Sequence, residues 1–443
     1  MARLRLPHPL IVLLACVGAA AALTWIVPAG EFERRPDPLT GRAVVVAGSY
    51  HRVPANPVGP IAAAVAVPRG FIEAADVVAV ILFVGGAWVV LDDIGALERI
   101  VAAFLSRFRR RSALAVPVVC VFFASMGALE NMQEEIIPLV PVLLMLGRRL
   151  GMDAVSVVAM SAGAAMVGSA FGPTNPFQAG IALELAELPP LSGGLLRLGM
   201  WVVATLVWLL WIRRYVGGLA HGAVAPLAGR AVAAPSLRDG AALAVTLMPM
   251  ALYVYGAAAW GWGFNELSAG FFVGALAAGL IGGLTLTGTS ESLLKGMRTL
   301  VAAAVLVGLA RSISLVLTDG RVIDTILQGL SQPLAHIGAT SAALLMIPFH
   351  MLVHVAVPSV SGQAVLTMPV LVPLCDLVGV PRLAGVIAYQ TGAGLMELLT
   401  PTNGALMAIL LAAGVPLQRW LRFAIPGVML LTVIGIVAIL VLN

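Results

Sequence analysis

Apolar runs of about 20 residues, the length of a helix that crosses a bilayer, recur along the whole chain and are separated by short polar clusters. None of them alternates apolar with polar positions as a barrel strand would. A backbone in lipid must satisfy its own hydrogen bonds, so these runs predict helices. The first covers 9–28, too long for the apolar core of a cleaved signal and without a small-residue cleavage site, so it reads as retained. A polar, Pro- and Gly-rich stretch over 30–68 follows, read as an outside loop with a short hairpin. A helix over 72–90 and a short segment over 91–108 then lead to Arg107, Arg109, Arg110 and Arg111.

The run that begins at Ser112 is interrupted at 127–135 and resumes to Arg148 and Arg149, with basic residues at both ends. Each arm is short for a crossing, which predicts a re-entrant hairpin. The next run, over 153–187, is broken at Gly172-Pro173-Thr174-Asn175-Pro176, where the prolines remove backbone donors. A helix over 195–212 returns to Arg213 and Arg214, and 216–236 reads as a linker. Helices over 240–258 and 267–286 follow, with Trp260 and Trp262 between them suited to the headgroup belt. The second half holds a helix over 299–317, a hairpin of arms 336–357 and 363–377, a run over 382–411 broken at 401–404, and a last span over 423–442.

These two halves repeat one unit. Pro141-Val142-Leu143, Gly151 and Pro173-Thr174-Asn175 are matched by Pro369-Val370-Leu371, Gly379 and Pro401-Thr402-Asn403. The interval from opening proline to threonine is the same in both, 174 − 141 = 402 − 369 = 33. Val90-Leu91-x-Asp93 is echoed by Val316-Leu317-x-Asp319. Lys and Arg mark cytoplasmic ends. Counting crossings against them puts the N-terminus, after Arg3 and Arg5, in the cytoplasm and gives the two copies opposite polarity. That is the signature of an inverted-repeat secondary transporter. The units expected are an N-terminal helix and loop (1–71), a first repeat (72–215), a linker with two connecting helices (216–298) and a second, inverted repeat (299–443).

Composition strengthens the membrane reading. Of 443 residues, 60% are hydrophobic and 11% charged, against about a quarter charged in a soluble domain. The net charge of +5 comes from arginine clusters between spans, and no basic face with interleaved aromatics points to nucleic acid. Cys16, Cys120 and Cys375 stand alone in apolar runs and read as small buried residues.

The candidate chemistry lies at the interruptions. A helix broken in mid-membrane frees carbonyls and presents the positive end of the next half-helix. Thr174, Asn175, Thr402 and Asn403 therefore read as substrate contacts, with a Na+ ion near Asn175 and Asn403; the bland alternative is a capped proline kink. Asn175→Ala and Asn403→Ala are each expected to abolish transport while leaving the fold intact. Intramembrane acids face cavities and mark ion or substrate paths, which selects Glu130, Glu134 and Glu135 at the first tip and Glu397 before the second break. Ser359, Ser361 and Gln363 occupy the second tip where the first has Asn131, Gln133 and Glu135. From these sets Asn131, Glu134, Glu397, Ser359, Ser361 and Gln363 complete the candidate binding residues. His350 and His354 share a helical face, but Met351 replaces the glutamate of a zinc-protease motif, so polar packing or substrate contact is favoured over metal. Arg311 lies in mid-helix and pairs with an acid such as Asp76 or Glu397, or holds a carboxylate. No nucleotide-binding or serine-hydrolase motif is present, so an enzyme is not expected. An intramembrane enzyme or a channel built on the buried glutamates is the alternative class.

Four blocks carry a family resemblance: 130–135 (ENMQEE), 173–178 (PTNPFQ), 359–364 (SVSGQA) and 399–404 (LTPTNG). They resemble the YfcC branch of the C4-dicarboxylate anaerobic carrier-like (DcuC-type) family, over nearly the whole chain. That family is similar to the wider ion-transporter superfamily of the divalent-anion/sodium symporters, whose tip motif is Ser-Asn-Thr where this chain has Pro-Thr-Asn. The resemblance implies a scaffold domain, a moving transport domain, an elevator motion and a homodimer. It implies an inner-membrane carrier of a basic amino acid or a C4-dicarboxylate, coupled to Na+ or H+ or working by exchange. The expected fold class is thus an all-α membrane protein with two re-entrant hairpins and two broken transmembrane helices. The excess of glutamates over Arg311 mildly favours a substrate bearing an amine.

Overall fold

A computed structural model describes residues 9–36, 43–46, 48–97, 99–100, 103, 115–189, 191–218, 234–260 and 262–442. The basic clusters at Arg3 and Arg5 and at 107–111, and most of the 216–236 linker, lie outside the described residues. The described chain is helical apart from a small strand segment, and eight of its helices are long and apolar enough to cross a membrane.

Helix α1 (Pro9–Ile26) leads into four short strands: β1 (Gly30–Glu31), β2 (Arg34–Pro36), β3 (Ala43–Val45) and β4 (His51–Arg52). β1 pairs antiparallel with β4 and β2 with β3, so the expected single hairpin is two nested pairs. The polar loop is also shorter than its composition suggests. Pro60 starts α2 (Pro60–Glu73), because its fixed φ and missing N–H suit a first helical turn. The chain breaks at Ala74 (φ −104°, ψ 16°) and continues as α3 (Ala75–Asp93).

In the second copy the equivalent stretch is one helix, α11 (Leu286–Asp319), capped by Thr285 accepting from Gly288 N at 3.1 Å. The expected start at 299 is overturned because the polar residues of its first turns hide the helix from an apolar count. The expected boundary at 298/299 falls inside it. The two stretches match in span, 93 − 60 = 319 − 286 = 33. They pack antiparallel along a glycine seam: Gly70 on Gly308 and Ser312, Gly85 on Leu300, Gly86 on Leu293, and Gly296 on Gly85. Small residues are what let helix backbones approach without a hydrophobic drive between them.

The first hairpin is α4 (Ala115–Glu130), a tip at Asn131, a tight turn over Glu134–Leu139 and α5 (Val140–Arg149). Asn131 takes a left-handed φ of 58°, which Asn tolerates better than most residues. α6 (Ala154–Phe171) follows, then the break and a short α7 (Ile181–Leu185). α4 climbs alongside α6, with Ala124 beside Gly168 and Ala128 beside Gly172. α5 descends to place Gly147 against Val157, near the start of α6. α8 (Gly194–Gly217), α9 (Leu237–Trp260) and α10 (Phe264–Ile281) lead to α11.

After α12 (Ile323–Ser331) the second hairpin repeats the first, as α13 (Ala339–Ala356) and α14 (Val360–Val378). α13 climbs beside α15 (Arg382–Met396), with Gly392 packed on Ile347 and His350. α16 (Gly404–Ala412) and α17 (Leu417–Leu442) close the chain. α15 ends at Met396, four residues short of the expected 400. This makes Glu397 its C-cap and the start of the break.

The two broken helices meet face to face and run in opposite directions. Ala170 rests on Gly394, Gln390 Nε2 donates to Gly172 O at 3.3 Å, and Gln178 Nε2 donates to Gln390 O at 3.2 Å. Both are almost wholly enclosed by protein, whereas α8 and α17 expose apolar stripes such as Val202, Leu206 and Leu210 and Met429, Val433 and Val437. Charges pair at the two ends of the bundle. Arg419–Asp153 (2.7 Å), Lys295–Asp93 (2.6 Å) and Arg99–Asp239 (2.6 Å) lie at one end. Arg34–Asp324 (2.8 Å) and Arg382–Glu187 (2.8 Å) lie at the other.

Candidate functional site

Each break is built round an asparagine that caps the half-helix after it. At the first, Asn175 Oδ1 accepts from Phe177 N (2.9 Å) and Gln178 N (3.0 Å). Its Nδ2 donates to Ser169 Oγ (2.9 Å), Asn131 Oδ1 (3.2 Å) and Gly127 O (3.3 Å). Ser169 in turn hydrogen-bonds Asn131, and Thr174 Oγ1 donates to Ala128 O at 3.1 Å. Asn175 is fully buried and every polar atom it has is engaged within the first copy.

At the second break Asn403 Oδ1 accepts from Leu406 N at 3.1 Å. Its Nδ2 donates to the Glu397 carboxylate and to Glu397 O (3.2 Å), and reaches Gln133 Oε1 at 3.4 Å. Thr400 and Thr402 share a hydroxyl contact at 2.7 Å. The first tip therefore touches both breaks, Asn131 holding Asn175 and Gln133 reaching Asn403.

Where the first tip, the second tip and the second break converge they enclose a cavity of about 530 Å³, within the size range of small-molecule sites. Asn131, Glu134, Ser359, Ser361, Glu397, Thr402 and Asn403 line it; Thr174, Asn175 and Gln363 do not. Among the described residues its wall carries five carboxylates (Glu73, Asp76, Glu134, Glu135, Glu397) against one guanidinium, Arg311. Arg311 Nε donates to Glu73 at 2.9 Å, so its partner is neither Asp76 nor Glu397. Phe177, Tyr253 and Phe264 add aromatic surface.

Reading the chain as apolar runs misses Glu73. The signal was a pair of acids three apart, Glu73 and Asp76, flanking a helix break that the run pattern smooths over.

Behind the cavity, Gln363 is fully buried and bridges the two imidazoles. Its Oε1 lies 2.7 Å from His354 Nδ1, and its Nε2 donates to His350 O at 2.9 Å and lies 3.2 Å from His350 Nδ1. His354 Nε2 stands 3.1 Å from Glu397 Oε1. Among the described residues no three His, Cys, Asp or Glu side chains gather as metal ligands. The amide oxygens of Asn175 and Asn403, where Na+ is expected, are both occupied by backbone N–H donors.

Comparison with known proteins identifies the family. The chain is 28% identical to the putative basic amino acid antiporter YfcC of Escherichia coli K12, covering 95% of this chain and 93% of that protein. It is also 28% identical to an uncharacterized protein of Haemophilus influenzae, covering 90% and 82%. The crystal structure of the Alcanivorax borkumensis YdaH transporter aligns with 98% of each chain at 17% identity and a TM-score of 0.43. From residue 6 to residue 443 the sequence matches the DcuC family, described as C4-dicarboxylate anaerobic carrier. The chain belongs to that family: it is a multi-pass membrane transporter and not an enzyme.

Proposed function

We propose that the protein is a secondary carrier of the cytoplasmic membrane that moves a small basic amino acid in exchange for another cation. One observation carries this reading: five carboxylates to one guanidinium round the cavity, with that guanidinium already paired. Of these acids Glu135 and Glu397 are buried, and buried negative charge is costly unless a cation enters. Ser359, Ser361, Thr402 and Asn403 supply neutral donors and acceptors for the carboxylate end of such a substrate. The YfcC relative, named as a putative basic amino acid antiporter, supports the same reading. The family description favours a C4-dicarboxylate, for which Arg311 is the cavity's one cationic contact.

The motion fits an elevator in which the hairpins and broken helices slide against α2, α3 and α11. The contact that would move is Gly404 on Val307 and Ala310, a small-residue seam beside the cavity. The arginine pattern places the N-terminus in the cytoplasm.

The test is uptake into proteoliposomes of labelled lysine, arginine, succinate and fumarate, each against unlabelled counter-substrate. Saturable uptake of lysine or arginine is expected. Uptake of dicarboxylates alone would overturn the substrate; uptake that cannot be driven uphill would overturn the carrier.

A further inference from the structure

We infer that His354 and Glu397 share one exchangeable proton, and that this pair is the proton-binding site coupling substrate movement to a proton gradient. The inference rests on the carrier reading above and deepens it by naming the coupling ion. It follows from hydrogen-bond direction. Gln363 Nε2 donates to His350 O, a group that only accepts. That fixes the amide, so Gln363 Oε1 faces His354 Nδ1 at 2.7 Å and Nδ1 must carry hydrogen. On the other side Asn403 Oδ1 is fixed by Leu406 N, so its Nδ2 faces Glu397 Oε2, which must accept.

What remains is His354 Nε2 facing Glu397 Oε1 at 3.1 Å. With a neutral imidazole and an ionised carboxylate both atoms are electron-rich acceptors, held 3.1 Å apart with no hydrogen between them. His354 is fully buried and Glu397 nearly so. One proton between them removes the conflict, as a neutral acid on a neutral imidazole or as an ion pair. The distance is that of an ion pair, but the angle is not that of a completed hydrogen bond, since His354 Nε2 has no hydrogen-bond partner. Glu397 can therefore leave His354 without breaking an aligned bond.

Glu397 differs from His354 in lining the cavity. When a substrate ammonium pairs with the Glu397 carboxylate, the shared proton passes to cavity water. His354 is left neutral, with Nε2 bare. One positive charge enters as one leaves, so binding at this site conserves charge. The other titratable groups near the pair are Glu134 on the first tip and Tyr389 on α15, with Glu135, Asp76 and Glu73 lining the same cavity. His350 is one turn away on α13 itself. α14 faces the pair with the neutral Gln363, and α11 with Arg311, which is held by Glu73. The neighbouring acids keep the cavity receptive to either cation and leave the choice between them to Glu397.

The test counts protons. Calorimetric titration of the wild type with lysine or arginine, in two buffers of different ionisation enthalpy, should show about one proton released per amino acid bound. In proteoliposomes one unit more acid inside than outside should drive about tenfold accumulation, one decade being one unit of exchange. His354→Asn keeps a donor for Gln363 but has no atom at Nε2, and should reduce gradient-driven accumulation to about onefold. Arg382→Gln, at the far end of the bundle, should keep it. Binding by the wild type without proton release, or tenfold accumulation in His354→Asn, would overturn the site. If no basic amino acid binds at all, the substrate reading fails, and infrared pH titration in lipid decides the proton site separately. It should show a carboxyl band lost in Glu397→Gln and shifted in His354→Asn; a spectrum unchanged in both would overturn the proposal.

Discussion

The two breaks share a tripeptide and a hydrogen-bond pattern, and among the positions where they differ one changes the charge. Asn175 and Asn403 both cap the following half-helix with their side-chain oxygen. Both donate from Nδ2 to the residue six positions earlier. That residue is Ser169 in the first copy and Glu397 in the second, 397 − 169 = 403 − 175 = 228. The same scaffold thus holds a neutral hydroxyl in one copy and a carboxylate in the other. Asn175 is shut away from the cavity, whereas Asn403 and Glu397 line it. The position six residues before the asparagine is where the two joints differ in charge.

The hardest way to break the comparison is through its packing. Gly168 has no room for a Cβ beside the Ala124 carbonyl. Gly168→Leu adds overpacking, usually about 1–3 kcal/mol and more where backbone is the obstacle. No monodisperse protein is expected on size exclusion. Ser169→Glu, which gives the first break the charge of the second, places an acid among Asn131, Asn175 and Gln178 with no cation. A cost of about 3 kcal/mol or more is expected, read as a lowered melting temperature.

The reverse change sharpens the contrast. Glu397→Ser keeps an acceptor for Asn403, so the protein should stay folded while uptake falls about 100-fold, as for losing one partner of a buried charged contact worth about 2–5 kcal/mol. Asn175→Ala and Asn403→Ala each remove a cap worth about 1 kcal/mol. The melting temperature should fall in both. Asn403→Ala should lose uptake by more than its stability loss explains, because its partner Glu397 lines the cavity. The smallest effect is expected of Arg311→Gln. Its bond to Glu73 joins side chains 49% and 38% exposed, and such pairs contribute about 0.2–1 kcal/mol. Melting should barely move, and a change in uptake of less than about fivefold is expected. A larger loss would make Arg311 a substrate contact.

Much of the architecture was legible because lipid imposes simple rules. Apolar length gave the helices, and prolines beside Thr-Asn gave the breaks at 172–175 and in the 397–403 region. Less legible were features carried by polar residues inside helices. The first turns of α11 and the start of α2 look like loop because their side chains are polar or small, though capping and Pro60 settle them as helix. Among cavity-lining residues, Glu134, Glu397, Ser359 and Ser361 were legible as polar groups where lipid should be. Glu73 was missed, since its role depends on the bend at Ala74 and on Arg311 from a helix some 240 positions away, 311 − 73 = 238.

By itself the sequence determined a duplicated helical membrane unit with two interrupted helices, because hydrophobic length, proline and charge act locally along the chain. Only the tertiary structure decided which copies of a repeated motif face the cavity and which are sealed. That depends on what a side chain meets across the bundle: Asn131 and Ser169 around Asn175, Gln133 and Glu397 around Asn403. Identical tripeptides carry no record of those neighbours, and the meeting of His354 with Glu397 is fixed by packing between helices that the repeat alone does not place.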